Sequence, residues 1–123
     1  MPVVRAADDP KFDLSGVNVS GLATPTRGAA ETIMYRVDLR PTQALPQHRH
    51  DHEEVFHVLA GSLTSVLDGA EHPADAGDTV MIPKGTLHHA YAGDAGATFV
   101  VAMPVGTLFM REDGEPAIPP WGR

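Results

Sequence analysis

The chain has 123 residues, a formal net charge of -7 at pH 7 and no cysteine. That length makes one domain with room for a single core, the acidic balance disfavours nucleic acid and anionic membrane, which demand a basic surface, and the missing thiols exclude a disulfide framework, a thiolate nucleophile and cysteine-bound zinc. A small molecule is the expected partner, and any bound metal must rest on histidine and carboxylate.

The opening MPVVRAADDPKF carries acidic residues where a secretory signal needs basic charge ahead of an apolar core, so the expected location is cytoplasmic. Residues 1–16 show no sustained periodicity and are expected to form a loose arm, or one that crosses to a partner subunit. Val17 to Thr24 and Glu31 to Arg40 read as strands; in the second, Ile33, Tyr35, Val37 and Leu39 take one face and Thr32, Met34, Arg36 and Asp38 the other. Pro41 to Pro46 reads as a turn or bulge.

Next comes the run HRHDHEEVFHVLAG, from His48 to Gly61. Side chains two apart on a strand leave the same face, so His48 and His50 can aim at one spot, and Glu54 shares their parity. Two imidazoles and a carboxylate suit a divalent transition metal. Glu54, Phe56 and Val58 share a face opposite Val55, His57 and Leu59, so His57 is expected to point away. Gly61 is expected to break the strand and Leu63 to Asp68 to return as its hairpin partner, closed at Asp68-Gly69, with a short strand near Glu71 and His72.

The stretch Gly77 to His88 is the natural place for a fourth ligand. Thr79 to Ile82 is β-like, Pro83-x-Gly85 turns the chain, and His88 opens a new strand. His89 to Tyr91 continues it, Gly93 to Gly96 is expected to turn, and Ala97 to Met103 forms another strand. The longest apolar run near the end, Thr98 to Gly106, falls short of the roughly 20 residues that span a bilayer. About eight short strands, 12 glycines and 11 prolines, and no helical period make the class all-β, a closed antiparallel sandwich or barrel. The expected boundaries are an arm at 1–16, a barrel at 17–106 and a proline-rich tail at 107–123 that drapes over a barrel edge or is disordered.

The spacing His48-x-His50, three residues, Glu54, six residues, Gly61, then Gly77, five residues, Pro83-x-Gly85, two residues, His88 resembles the paired signature of the cupin superfamily. Two positions depart from it: Thr42 stands where the first signature opens with glycine, and Ala92 where the second closes with asparagine. The resemblance implies an antiparallel double-stranded β-helix, the jelly-roll barrel, with His48, His50, Glu54 and His88 on one divalent metal per chain, iron, manganese, nickel or zinc. It also implies a homodimer, sharing the strand at Val17 to Thr24. His88 is selected over its neighbour His89 by its place after the turn, and His52 is expected at the rim.

Four protein donors on a metal that prefers six leave two positions open, as catalysis requires. The leading expectation is a dioxygenase-like enzyme acting on a small enolisable or aromatic compound. The alternatives are a redox-neutral isomerase, epimerase or polyketide cyclase using the metal as a Lewis acid, and a metal-containing binding module without chemistry. Glu54, His52, Tyr35 and Tyr91 are the candidates for proton transfer. Tyr35, Phe56, Phe99 and Met103 on the inward face are the candidate substrate-pocket residues.

Overall fold

The structure, a computed structural model, describes residues 3–14 and 16–123. Nine strands run through them: β1 (Lys11–Leu14), β2 (Val17–Ala23), β3 (Thr32–Leu39), β4 (Arg49–His50), β5 (Glu54–Leu67), β6 (Ala70–Asp75), β7 (Thr79–Ile82), β8 (His88–Pro104) and β9 (Phe109–Met110). The main sheet has the order β1-β2-β3-β8-β5-β6, with β7 also on β5, and every pairing in it is antiparallel. β4 and β9 make a second, two-stranded sheet. The architecture is the all-β antiparallel roll expected of the sequence.

Alternation places the core. Ile33, Tyr35, Val37 and Leu39 of β3 are buried, and they pair across the ladder with Met103, Val101, Phe99 and Ala97 of β8. Side chains of this set fill the barrel because every second residue of a strand faces inward. Glu54, Phe56 and Val58 of β5 are buried on the same principle, while Leu59 is exposed.

Three expectations fail on the same physical point, that a strand of a small barrel is long and bent rather than short and straight. Gly61 does not end its strand: β5 runs on to Leu67, with register shifts on either side of Gly61. Leu63 to Asp68 is therefore its continuation, and the partner across the Asp68-Gly69 turn is β6. Gly93 to Gly96 is likewise the bend of a continuous β8. Gly61 (φ 72) and Gly96 (φ 78) lie where the two strands cross, and a Cβ on Gly61 would meet the Gly96 carbonyl oxygen at 2.1 Å. Only glycine combines that dihedral with that approach.

The arm is also more ordered than expected. Lys11–Leu14 pairs with β2 as the edge strand β1, and the Arg27 guanidinium holds Asp9 and the carbonyls of Arg5, Gly21 and Leu22. A four-residue edge strand is too short to announce itself by alternation and forms because β2 offers it a ladder. The parts of the arm at residues 1, 2 and 15 lie outside the described residues. Thr42, standing at the glycine position of the signature, adopts φ 61, a left-handed conformation unusual for a β-branched residue.

The proline-rich end lies across the barrel. Phe109 and Ala117 exchange backbone hydrogen bonds, Thr26 donates its hydroxyl to the Arg123 carbonyl at 3.0 Å, and Gly122 is buried close to Ile33 and Ile118. The chain between them forms a strap that brings Trp121 into ring contact with Phe12, Tyr35 and Phe109. No helix among the described residues is long and apolar enough to cross a membrane.

Candidate metal centre

One β-bridge brings the ligand segments together. His48 and His88 pair backbone to backbone, each donating its N–H to the other's carbonyl at 2.9 Å. β5 starts at Glu54 and carries its carboxylate inward. His48, His50, Glu54 and His88 are all buried, and one donor atom from each lies within 4.8 Å of the others. Glu53 is exposed, so parity picks the right one of the two adjacent carboxylates.

Each imidazole is oriented from behind by a backbone carbonyl. Nδ1 of His48 meets Pro46 O at 2.7 Å, that of His50 meets Leu108 O at 3.2 Å, and that of His88 meets Thr86 O at 2.9 Å. A carbonyl only accepts, so each Nδ1 carries the proton and each Nε2 of a neutral ring presents a lone pair. Those lone pairs converge: Nε2 of His48 and His50 are 3.0 Å apart, His50 Nε2 is 3.3 Å from Glu54 Oε2, and His88 Nε2 is 3.2 Å from Glu54 Oε1. Glu54 Oε1 and His88 Nε2 are fully covered and make no hydrogen bond of their own. Three imidazoles and one carboxylate gathered around one point could hold a divalent transition metal.

The electrostatics agree. Burial pushes His48 down to about 4, and the neighbouring His88 adds to it, so this ring stays neutral and ligating at physiological pH. Burial alone would raise Glu54, but the imidazoles of His50 and His88 outweigh it and hold the carboxyl down at about 2. His88 is raised from its ordinary value: burial works against the charged ring, and the Glu54 carboxylate overcomes it.

Beside the ligands opens a cavity of about 500 Å³. His48 and Glu54 face it, Val19, Val37, Val101, Phe56 and Phe99 wall it, and Phe109, Arg111 and Trp121 close it from the C-terminal side. Phe109 stacks flat on His48, with ring centroids 5.1 Å apart and planes 5° apart, and sets its edge against His50. Tyr35 donates its hydroxyl to Glu54 Oε2 at 3.3 Å. Burial, helped by the Glu54 charge, lifts that phenol well above its ordinary value; the indole of Trp121 pulls the other way, facing the phenol oxygen without completing a hydrogen bond.

Of the expected pocket residues, Tyr35, Phe56 and Phe99 line the cavity, whereas Met103 is buried in the core and does not. His52 is exposed, with its ring hydrogen-bonded to Asp51, and is not brought to the ligands. It lies in the bend between β4 and β5, where strand parity does not hold. Tyr91 is also remote, donating to Glu71 on the surface. His57 faces outward to Thr79, and His72 is exposed. Sequence reasoning missed Phe109, Arg111 and Trp121. The available signal was a lone tryptophan in an otherwise polar, proline-rich end.

The family model described as a cupin domain matches residues 35–103, and the chain belongs to the cupin family. Among its relatives is Protein SchB of Streptomyces halstedii, 33% identical over 114 residues, which span 90% of this chain and 81% of SchB. Among solved structures it is similar to the polyketide cyclase RemF from Streptomyces resistomycificus, with a TM-score of 0.80 and 22% identity over 94% of this chain and 87% of that one. It is similar too to KdgF from Halomonas sp., with a TM-score of 0.71 and 18% identity over 89% of this chain and 93% of that one.

Proposed function

We propose that this chain is a metal-dependent, redox-neutral cyclase that closes rings in a small compound carrying several carbonyl groups. The observation that carries this reading is the ligand cluster at the wall of a chamber of about 500 Å³ built mainly of Val and aromatic side chains. Such a chamber suits an apolar, flattening substrate that is wetted only where it reacts. The likeness to a polyketide cyclase supports it.

A divalent ion held by His48, His50, Glu54 and His88 would polarise a ketone or enol oxygen as a Lewis acid. The remaining work falls to the chain. Ring closure joins a methylene carbon to a carbonyl carbon, moves a proton from the methylene to the carbonyl oxygen, and ends with loss of that oxygen as water, so no oxidant is consumed. Tyr35 keeps its proton at neutral pH and holds it at Oη beside Glu54, in place to protonate the departing oxygen. The apolar walls exclude bulk water and favour the dehydration.

The dioxygenase-like expectation uses the same ligands and differs in needing oxygen. A pure binding module would be favoured by walls of Val, Leu, Phe and Met alone, and Tyr35, Trp121 and Arg111 break that pattern. The test is zinc-reconstituted protein incubated with a linear aromatic triketone, followed by product absorbance in air and under argon. An aromatic ring formed equally in both, and lost in His88→Ala, supports the cyclase. Oxygen uptake matching product formation, or no ring closure, contradicts it.

A further inference from the structure

The cavity wall holds one carboxylate and one guanidinium, and they differ in what they are committed to. Glu54 is enclosed by the imidazoles of His50 and His88 and by the Tyr35 hydroxyl. Arg111 is the only lysine or arginine in the wall, and its guanidinium makes no ion pair among the described residues. Partners are plentiful: acids outnumber Lys and Arg 16 to 9, and Glu112 and Asp113 follow it directly. They leave it unpaired.

Its place is set by the strand ahead of it. Phe109 and Met110 of β9 pair with His50 and Arg49, and Phe109 lays its ring on His48 with centroids 5.1 Å apart. Alternation turns Met110 away and brings Arg111 back to the side of Phe109, which agrees with Phe109 and Arg111 lining the cavity while Met110 does not. Two residues of extended chain advance roughly 7 Å. Arg111 is exposed and yet part of the wall, so it stands where the chamber meets solvent, one such step beyond the ring that covers His48.

Between the ligands and this residue the wall is apolar, with Val19, Val37, Phe56, Phe99 and Val101 offering no charge. An entering molecule therefore meets a polar cluster at one end and a lone cation at the other. A guanidinium presents two parallel N–H donors at the spacing of the two oxygens of a carboxylate. Glu54 is the only acid in the wall and already has its partners, so nothing in the chamber competes for that fork.

We propose that Arg111 is a specificity-determining residue at the mouth of the chamber, binding a carboxylate at the far end of a flat, otherwise apolar substrate whose oxygen reaches the cluster of His48 and Glu54. This rests on the cavity being the substrate chamber. It narrows the substrate to a free acid, with the carboxylate and the reacting oxygen separated by the length of a naphthalene body.

The experiment uses zinc-loaded full-length protein and two probes of the same body, 6-hydroxy-2-naphthoate and its methyl ester, with dissociation constants read by titration calorimetry. Both carry the hydroxyl, and only the acid carries the charge. The wild type binds the acid about fivefold more tightly than the ester, the size of one ion pair at a wet rim, and the preference shrinks in about 1 M sodium chloride. Arg111→Gln removes the preference by weakening the acid alone, and it keeps the metal content and melting temperature of the wild type.

A carboxylate that bound the zinc instead would keep its preference in Arg111→Gln, and that result overturns the proposal. Equal binding of acid and ester by the wild type, equal weakening of both by the substitution, or binding of neither probe overturns it too. If Arg111→Gln does not fold, Arg111→Met, which keeps the aliphatic stem, is read in the same way. A preference that depends on Arg111 in a protein that closes no ring keeps this subsite and removes the proposed reaction. Ring closure in a protein that binds acid and ester alike does the reverse.

Discussion

The chamber has two unlike sides. On one, four ligands arise from His48 just ahead of β4 and from β4, β5 and β8, and a backbone carbonyl stands behind each imidazole. On the other, Phe109 and Trp121 from the end of the chain pack ring against ring, with Phe12 from its beginning set against Trp121. The first side is polar, buried and built from two segments, His48 to Glu54 and the start of β8, each with its own local pattern. The second is aromatic and built by bringing the two ends of the chain together. The contrast teaches that the reacting centre is set by local strand geometry, whereas the shape of what it accepts is set by segments that carry almost no local pattern.

Tyr35 joins the two sides. It donates to Glu54 on one and contacts the Trp121 ring on the other. A clamp of a different kind fixes the mouth: His50 Nδ1–H reaches Leu108 O at 3.2 Å, while Asp51 accepts the Leu108 N–H at 2.8 Å. The loop ahead of Phe109 is thus tied to the ligand strand at two adjacent residues.

The two sides can be separated by pH, because the ligand side is rich in histidine and the chain from Thr107 to Arg123 has none. For the metal-free protein, His48 is lowered from 6.5 to about 4, so the unfolded chain takes up the extra proton first and stability falls as pH drops from 6.5 towards 4. At ~1.4 kcal/mol per unit that is at most about 3.5 kcal/mol. Glu54, depressed from 4.5 to about 2, adds a loss as pH falls through that lower window. His88 works in the opposite direction: raised in the folded state, its contribution is complete below 6.5 and is lost as pH rises above it. Thermal melts of metal-free protein should therefore peak near pH 6.5. A peak displaced far to either side breaks the assignment of these shifts to the ligand cluster, and His48→Gln should flatten the acid side.

A smaller effect sharpens the link between the sides. Tyr35→Phe keeps the ring against Trp121 and removes only the donor to Glu54, so zinc affinity should fall by about tenfold, typical for a group that orients a ligand from behind. Competition with a chromogenic chelator measures it. Unchanged affinity would mean that Tyr35 serves the chamber alone.

The ligand side was legible in the sequence because its signals are local: His48 and His50 stand two apart in an extended segment, Glu54 has the parity of the buried Phe56 and Val58 on β5, and His88 follows the turn that re-aims the chain. The alternation of β3 and the start of β5 were legible for the same reason. What was hidden depended on distance along the chain. The bends at Gly61 and Gly96 read as strand ends because glycine breaks an isolated strand, and only their crossing shows them to be hinges of longer strands. β1 needed β2 to exist. Trp121 sits among prolines with no period, so nothing local directs its ring towards Tyr35. Met103 and Phe99 have the same parity, and only the course of β8 decides that Phe99 lines the chamber while Met103 stays in the core.

Elemental analysis of the purified protein beside His50→Ala and His88→Ala tests the convergence of the two ligand segments most directly. The wild-type chain should carry about one divalent transition metal, and each variant, folded by circular dichroism, should carry almost none. A wild-type protein that takes up no metal, or variants that retain it in full, would contradict the reading of His48, His50, Glu54 and His88 as a single centre.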